Sequence, residues 1–428
     1  MREMKETGIP WLPEVAEYFS VGYVKQYFYV SKDLSNEGEP ERVLKLARAG
    51  IVEKDVTTNE GQMAASYAGY NKVQVGDLLL NPMDLYSGAN CNVSELNGVI
   101  SPAYSNLRAK KAGSIVPKFY DYYFKCQYWL MAMFAHGKGV SFENRWTLNN
   151  DSLRSYEIPV VPYAVQGHIV ERIQSEERKV DALIANMQAQ IEKLKAYKQS
   201  LITEVVTKGL DPSVPMKDSE VEWIGCYPNS WRLSHIGKVA EMGAGGTPSR
   251  NNPEYWDNGS IPWMSSGEIN YEYVYDTSEK ITELGMKNSN AKLLPINTVM
   301  LGLIGQGRTK GLSAILKIEC TCNQNLAYLI ANPTFLHYEY LFYCFKAMYS
   351  YIRGVVGESQ AGIYQGFLKM QYIPLPSTSE QIMISNYLNE KCSQIDHLIA
   401  IKQAKIEKLE QYKRSLIYEY VTGKKEVR

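Results

Sequence analysis

The sequence predicts an α+β protein made of two globular domains and two long helices, with the helices forming an intramolecular antiparallel coiled coil. Three observations lead to this prediction. A helical segment of 29 residues occurs twice, strand-like and turn-like segments precede each copy, and a chain of 428 residues is too long for one compact core. An antiparallel pair of helices predicts a pseudo-twofold arrangement, with one domain at each end of the pair.

The two copies of the helical repeat are residues 181–209 and 396–424, and 18 of their 29 positions are identical at a constant offset of 215. Both copies are rich in Ala, Leu, Ile, Lys, Glu and Gln and contain no proline, which predicts helix. We expect the helices to begin near Ala164 and Ser379, which gives each a length of roughly 60 Å at 1.5 Å per residue.

Apolar side chains recur in steps of three and four along both copies, which is the a/d pattern of a coiled coil. Lys198, Lys402 and Lys413 interrupt the pattern. The alternative is that each helix packs on its own domain, but a narrow apolar stripe on so long a helix favours a partner helix. The predicted seam consists of Val180, Ile184, Met187, Ile191, Leu194 and Leu201 in the first copy, and Ile395, Ile399, Ile406, Leu409 and Leu416 in the second.

The duplication extends beyond the helices and predicts the domain boundaries. Met4–Thr7 corresponds to Met216–Ser219 ahead of each domain, and Tyr156–Val160 corresponds to Gln371–Leu375 ahead of each helix. The predicted ranges are 1–157 for domain 1, 158–210 for the first helical spacer, 211–372 for domain 2 and 373–428 for the second helical spacer.

Between these shared segments the two domains have the same order of elements but little common sequence. Residues 75–80 and 296–301 are predicted strands, and the aromatic stretches 119–134 and 335–352 are predicted helices. Each domain is therefore predicted to be a twisted mixed sheet with a few helices. The sequence does not determine how the strands pair.

Composition narrows the class of protein. The 46 basic and 46 acidic side chains balance, which argues against a uniform electrostatic field for nucleic acid but not against local basic clusters. No run of 18 apolar residues occurs and the first residues lack a secretory signal, so we expect a cytoplasmic protein. The seven cysteines, including the pair Cys320 and Cys322, and five scattered histidines predict neither a disulfide framework nor a metal site.

The sequence contains no complete catalytic motif. Asn81-Pro82-Met83-Asp84 lacks the second proline and the aromatic residue of an adenine methyltransferase motif, so a turn after a strand is expected there. The glycines at 243–246 and 305–311 have the wrong context and spacing for a dinucleotide site, and no phosphate-binding loop occurs. We therefore predict no catalytic residue.

Taken in order, the motifs resemble the specificity subunit of type I restriction-modification systems. The resemblance covers essentially the whole chain, and it is the ordered set that is specific. The first copy departs from the pattern at Pro13, where a glycine is usual, and at Val165, where the second copy has Glu380. The segments that carry the resemblance are 76–83, 101–104, 217–225, 245–269, 304–311, 321–324, 372–376 and 380–381.

The resemblance implies a non-catalytic DNA-binding subunit. Each domain would be a target-recognition domain that reads one half of a split, asymmetric site in double-stranded DNA. The helices would set the spacing between the halves and dock two modification subunits, which methylate adenine with S-adenosylmethionine. Two restriction subunits that use ATP and Mg²⁺ could join them, and this chain would bind no cofactor itself.

Candidates for DNA contact are polar and basic residues near glycine-containing loops, because phosphate contacts position a protein and base-edge contacts specify sequence. Any single candidate is more often an ordinary surface residue. The candidates are Asn81, Tyr104, Arg108, Lys110, Lys111, Lys138 and Arg145 in domain 1, and Gln306, Arg308, Lys310, Asn323, Gln324, Gln360 and Tyr364 in domain 2.

Two other classes of function compete with DNA recognition. One is a structural scaffold whose domains bind proteins, and neutralising the Arg308 and Lys310 loop would separate it from DNA recognition. The other is a self-contained methyltransferase, which the missing motifs disfavour and which S-adenosylmethionine binding by the purified chain would reveal.

Overall fold

The computed structural model describes residues 3–47, 50–56, 64–83, 85, 90–139, 146–304, 309–356 and 362–427. The chain divides into two compact units. Unit 1 consists of Met1–Met187 with Ala404–Arg428, and unit 2 is Gln188–Gln403. Each long helix therefore contributes to both units, and the predicted α+β class is confirmed.

Unit 1 contains the strands of domain 1 and its short helices. Its helices are α1 (Val24–Tyr27), α2 (Pro117–Trp129), α3 (Asn150–Arg154) and the first part of α4 (Tyr163–Lys208), with a 3₁₀ turn at Ala132–His136. Its strands are β1 (Met4–Ile9), β2 (Leu12–Ala16), β3 (Ser20–Tyr23), β4 (Phe28–Val30), β5 (Val43–Ala47), β6 (Gly50–Glu53), β7 (Asn71–Val73), β8 (Leu78–Leu80), β9 (Cys91–Val93), β10 (Gly98–Ile100), β11 (Ser105–Ala109) and β12 (Glu157–Val160).

The central sheet of domain 1 has the strand order β4-β11-β8-β9, and all its pairs are antiparallel. A second sheet has the order β6-β5-β10-β7, in which only β5 and β10 pair in parallel. The pairs β1-β2 and β3-β12 form two-stranded ribbons. The β3-β12 ribbon joins the beginning of the domain to the segment that leads into α4.

Unit 2 contains domain 2 and the facing parts of both long helices. Its helices are α5 (Ile236–Val239), α6 (Glu283–Lys287), α7 (Tyr338–Val356), α8 (Gln365–Lys369) and part of α9 (Thr378–Val421), with 3₁₀ turns at Pro253–Tyr255 and Ser266–Asn270. Its strands are β13 (Met216–Asp218), β14 (Cys226–Pro228), β15 (Arg232–His235), β16 (Ala240–Ala244), β17 (Ile261–Met264), β18 (Tyr273–Val274), β19 (Glu279–Ile281), β20 (Val299–Gly302), β21 (Ser313–Leu316), β22 (Thr321–Cys322), β23 (Leu326–Ala331) and β24 (Tyr372–Leu375).

The central sheet of domain 2 has the order β16-β23-β20-β21-β18. Its first four strands pair antiparallel, and β18 joins β21 in parallel. A three-stranded sheet β19-β17-β22 and the ribbons β13-β14 and β15-β24 complete the unit. The four antiparallel strands repeat the order found in domain 1, with β16, β23, β20 and β21 in the places of β4, β11, β8 and β9.

Two of the predicted strands begin later than the sequence pattern indicates. β8 begins at Leu78 because Val75, Gly76 and Asp77 form a turn, in which the Asp77 carboxylate accepts the Gln74 N–H at 2.9 Å. β20 begins at Val299 because Asn297 has a φ of 70°, which a strand cannot accommodate. The predicted helical stretches 119–134 and 335–352 correspond to α2 with its following 3₁₀ turn and to α7.

Both long helices begin within one residue of the predicted positions, at Tyr163 and Thr378. A buried glutamine lies in the first turn of each. The Gln166 amide accepts the Val116 N–H at 2.7 Å and donates to the Val161 carbonyl at 2.7 Å. The Gln381 amide accepts the His337 N–H at 2.8 Å and donates to the carbonyls of Phe335 and Pro376. Each glutamine thus ties its long helix to the start of α2 or α7.

Within each unit the two long helices run antiparallel. In unit 1, Arg172 donates to the Tyr420 hydroxyl at 3.1 Å and Lys413 pairs with Asp181 at 2.6 Å. All predicted seam residues are buried or partly buried.

The same direction holds in unit 2. Lys402 donates to Gln190 at 2.5 Å, and Lys198 pairs with Asp396 at 2.7 Å. Together with the Asp181 pair in unit 1, these contacts give each of the three lysines that interrupt the apolar pattern a polar partner. The pseudo-twofold relation between the two halves stays a prediction.

The ends of the long helices complete the cores of the globular domains. In unit 1, Leu416, Ile417 and Tyr420 of α9 are buried with side chains of β8, β11 and α2. In unit 2, Leu201 and Val206 of α4 are buried with side chains of β20, β23 and α7. Leu201, Ile395 and Leu416, which were predicted for the seam, therefore pack in the domain cores.

Candidate nucleic-acid interface

In domain 1, three neighbouring strands of the central sheet have their ends on one side. Leu80 pairs with Ser105, and the Ser31 N–H donates to the Asn106 carbonyl at 2.8 Å. The residues after β4, after β8 and before β11 are therefore neighbours. We call this group the domain 1 strand-end surface, and it comprises Ser31, Lys32, Asn81, Tyr104 and Ser105.

The equivalent strand ends in domain 2 also carry polar side chains. The Thr247 hydroxyl, after β16, is hydrogen-bonded to the Gln324 side chain ahead of β23. The Leu303 carbonyl, after β20, accepts the Ile363 N–H at 2.9 Å. The next residue, Tyr364, therefore also lies near these strand ends, and 70% of its surface is exposed. We call Thr247, Leu303, Asn323, Gln324 and Tyr364 the domain 2 strand-end surface.

The structure brings some of the predicted domain 1 candidates together and separates others. Asn81 and Tyr104 lie on the strand-end surface. Lys138 is close to it, because Lys138 pairs with Thr147 and the next residue, Leu148, donates to the Pro82 carbonyl at 2.8 Å. Arg108, Lys110 and Lys111 lie at the other end of β11, so they belong to a different part of the domain.

Arg108 has a structural partner that the sequence did not reveal. Its guanidinium donates two hydrogen bonds of 2.7 Å to the Asp77 carboxylate, which is 2% exposed. These bonds raise the pKa of Arg108 above its ordinary value. The pair joins the start of β8 to β11, and a side chain held in this way is less available to DNA. Lys110 and Lys111 are exposed.

Two of the domain 2 candidates are buried. Lys310 is 5% exposed, and its carbonyl accepts a hydrogen bond from Arg353 at 3.2 Å. Asn323 is 7% exposed and accepts the Asn325 N–H at 3.0 Å, which shapes the turn before β23. Gln324 and Tyr364 remain exposed. Arg145, Gln306, Arg308 and Gln360 lie outside the described residues. Contact with DNA stays a prediction for every candidate.

The strand-end surfaces contain residues that sequence reasoning missed. Ser31 and Lys32 follow β4, and Thr247 follows β16. Asn149 and Asn150 begin α3 and, with Ser31, Lys32 and Tyr104, line a cleft of about 360 Å³. The only signal in the sequence was the asparagine pair itself, which is common ahead of a short helix.

The described residues contain no group of three or more His, Cys, Asp or Glu side chains that could hold a metal ion. Asn81 accepts the Met83 N–H at 3.0 Å, so the segment Asn81-Pro82-Met83 is a turn after β8. Burial raises the pKa of Cys320 to about 12 and that of Cys322 further, which keeps both thiols protonated. No helix in the described part of the chain is long and apolar enough to cross a membrane.

A departure between the two copies has a local explanation. In unit 2, the Trp231 indole donates to Glu380 at 3.1 Å, just before Gln381. In unit 1, the residue ahead of the matching ribbon is the fully buried Phe19, which has no hydrogen-bond donor on its side chain. Val165 accordingly stands where unit 2 has the glutamate.

Comparisons with known proteins agree with this architecture. Residues 228–411 match the model of the type I restriction modification DNA specificity domain. The specificity subunit of the EcoR124I/EcoR124II type I restriction enzyme of Escherichia coli is 27% identical over 276 residues, which are 61% of each chain. The chain therefore spans about three fifths of the length of that relative.

Two further proteins match over more of their length. The MjaVIII specificity subunit of Methanocaldococcus jannaschii is 23% identical over 410 residues, or 93% of this chain and 86% of the relative. A solved chain from a study of complex assembly and conformational transition of the type I R-M system has the same fold. It has a TM-score of 0.72 at 14% identity and covers 95% of this chain and 98% of that one. Residues 228–411 thus match a type I restriction modification DNA specificity domain, and the chain is similar to specificity subunits of type I restriction enzymes over most of its length.

Proposed function

We propose that this chain is the sequence-specific DNA-binding subunit of a type I restriction-modification complex. Domain 1 and domain 2 each read one half of a split, asymmetric site, and the two long helices set the spacing between the halves. The chain itself has no catalytic role. S-adenosylmethionine, ATP and Mg²⁺ are bound by its partner subunits.

One observation carries this proposal. The central sheets of the two domains have the same four-strand order, yet the side chains at the equivalent strand ends differ. Tyr104 and Asn81 occupy the places that Asn325 and Leu303 occupy in domain 2. Two equivalent scaffolds with different polar groups suit the reading of two different base sequences, since base-edge contacts specify sequence.

The test is selection of bound DNA by the chain assembled with its modification subunits. We expect one split sequence with two unlike halves to be enriched from a random duplex pool. Replacing Gln324 and Tyr364 by alanine should change the preference in one half alone. Binding by the assembled wild-type complex that ignores DNA sequence would exclude the proposal.

The same experiment separates DNA recognition from a protein-binding scaffold. Lys310 is unsuitable for this purpose because it is buried, so its substitution would disturb packing as well as charge. Gln324 and Tyr364 are exposed and serve instead. A scaffold would bind its protein partner normally and show no selected DNA sequence in any variant.

We also propose that each unit carries one docking site for a modification subunit. In unit 1, two exposed apolar side chains, Leu183 at 50% and Tyr412 at 50% exposure, are close in sequence to the Asp181–Lys413 ion pair. In unit 2, Leu398 at 47% and Tyr197 at 58% exposure are close in sequence to the Asp396–Lys198 pair. These are identical residues at the 215-residue offset.

The other identical positions with large apolar side chains are buried or partly buried, which accounts for their identity. Leu183, Leu398, Tyr197 and Tyr412 have no such explanation within the chain. Exposed tyrosine and leucine are typical anchors of protein interfaces. Two equal sites on one chain suit two copies of one partner.

The stoichiometry of the purified complex tests this arrangement. We expect the variant Leu183→Gln with Tyr412→Ala to bind one modification subunit instead of two, and likewise Leu398→Gln with Tyr197→Ala. Native mass spectrometry measures the ratio. The matched control is Ile401→Asn, because Ile401 is also exposed but has Asn186 as its counterpart. Two bound subunits in both double variants would show that the partner docks elsewhere.

A further inference from the structure

The cleft beside Tyr104 is built from separate segments of domain 1. It has a volume of about 360 Å³ and is lined by residues that follow β4 and β8, precede β11 and begin α3. Three asparagines, one tyrosine and one lysine contribute to the lining, and none of the described lining residues is acidic. A polar cleft without carboxylates is suited to the negatively charged surface of DNA.

Asn149 and Asn150 are held at this cleft through their side-chain oxygens. The Asn149 Oδ1 accepts the Ser152 N–H at 2.8 Å, and the Asn150 Oδ1 accepts the Ser105 hydroxyl at 3.3 Å. Both residues are exposed. Their NH₂ groups donate no hydrogen bond to a described residue, so two fixed amides present donors to a ligand.

Tyr104 stands beside them with its backbone fixed by a hydrogen bond to the Ser101 carbonyl at 3.1 Å. Burial raises the pKa of its hydroxyl, which therefore stays protonated. Lys32 is exposed on the same strand-end surface and can contact a phosphate. The polar side chains of the cleft come from several segments of domain 1. Only Asn149 and Asn150 belong to the start of the five-residue helix α3.

In the major groove, guanine presents two neighbouring acceptors, N7 and O6. Adenine presents an acceptor and a donor, cytosine a donor, and thymine an acceptor and a methyl group. A pair of amides whose oxygens are already engaged matches the guanine edge. We infer that Asn149 and Asn150 are specificity-determining residues of domain 1, and that they select a G·C pair in its half-site.

This inference rests on the proposed function, and it names the residues that read the DNA and the base pair that they select. The test uses the chain assembled with its modification subunits and the selected wild-type site. Asn149→Ser keeps an acceptor for the Ser152 N–H but removes the amide donors. Asn150→Ala removes the second amide. We expect each variant to lose about tenfold or more in discrimination at one G·C pair of one half-site, and none in the other half.

Chemical substitution of the DNA makes the test independent of folding. Replacing the guanine by 7-deazaguanine removes its N7 acceptor, so the wild-type complex should lose about tenfold in affinity. The same DNA change should lower the affinity of the Asn149→Ser variant only slightly further, because the amide donors of residue 149 are already absent. Equal losses in wild type and variant would overturn the inference.

The matched control is Asn97→Ser. Asn97 is exposed and accepts the Val75 N–H at 2.9 Å, at the opposite end of β8. It should keep wild-type discrimination at every position. If the wild-type complex selects a split site and the Asn149 and Asn150 variants discriminate as it does, the inference fails and the proposed function stands. If the wild-type complex selects no site, both fail.

Discussion

Gln166 and Gln381 show how a repeated residue can keep one structural role in two domains of unlike sequence. They are 1% and 0% exposed, and each satisfies backbone groups that would otherwise be buried without partners. Tyr120 and Tyr340 act similarly, since each hydroxyl donates to the carbonyl of Pro159 or Pro374. The beginning of each long helix is therefore fixed by side chains, not by the helix pattern alone.

Replacing these glutamines should destabilise the protein more than replacing exposed ones. Gln166→Met leaves a partly buried N–H and a buried carbonyl unpaired, and Gln381→Met leaves a partly buried N–H, a partly buried carbonyl and a buried carbonyl unpaired. At about 1–3 kcal/mol for an unsatisfied buried group, we expect the free energy of unfolding to fall by about 2 kcal/mol or more. Denaturant unfolding of each variant measures the change.

The control for this prediction comes from the repeat itself. Gln188 and Gln403 are identical residues at the same offset and are exposed on the long helices. Gln188→Met and Gln403→Met should change the free energy of unfolding by less than about 0.5 kcal/mol. Buried-site variants as stable as these would mean that water or local rearrangement satisfies the backbone.

Individual contact residues were the least predictable part of the candidate site. The sequence places Arg108 and Lys310 near glycine-containing segments, where basic side chains often contact phosphates. It does not reveal that Asp77, 31 residues earlier, accepts both hydrogen bonds from Arg108. Nor does it reveal that Lys310 is buried. Such partners depend on strand pairing, which the sequence did not determine.

At the scale of elements, long regular patterns were predicted well and short ones less well. The helix starts differ from the observed ones by a single residue, because a period sustained over several turns averages out local exceptions. Strands of three or four residues have no such redundancy. A turn residue such as Asn297 or Gly76 was therefore enough to shift the predicted start of a strand.

The lysines that interrupt the heptads illustrate a second limit at this scale. Lys198 and Lys413 look like faults in an apolar seam when one helix is considered alone. In the structure each pairs with an aspartate of the facing helix, Asp396 or Asp181. Partly exposed pairs of this kind contribute little stability, but they favour one register of two antiparallel helices.

At the scale of the whole molecule, the segment that follows α9 contacts β2, near the first residues of domain 1. The Thr422 carbonyl accepts the Ala16 N–H at 3.0 Å, and Lys424 pairs with Glu14 at 3.2 Å. Both contacts lie within unit 1. Gly423, with a φ of 75°, turns the chain after α9 where a Cβ atom would meet Ala16 and Phe19.

A circular permutant should therefore fold. We expect a chain whose ends are joined by a short glycine-rich linker and reopened near Asp211–Ser213 to keep its melting temperature within a few degrees. The opening lies in an exposed segment between α4 and β13. Calorimetry measures the transition. A permutant reopened inside α4 near Gln190 is the control and should be strongly destabilised, and equal behaviour of the two would refute the prediction.

The division of unit 1 between Met1–Met187 and Ala404–Arg428 also sets an order of events during synthesis. Unit 2 is one continuous stretch, so all its parts exist once residue 403 has left the ribosome. Domain 1 emerges before unit 2 but lacks Leu416, Ile417 and Tyr420 from its core until α9 has also been synthesised. The domain that is made first is thus the one that finishes folding last, with part of its apolar surface uncovered in the meantime.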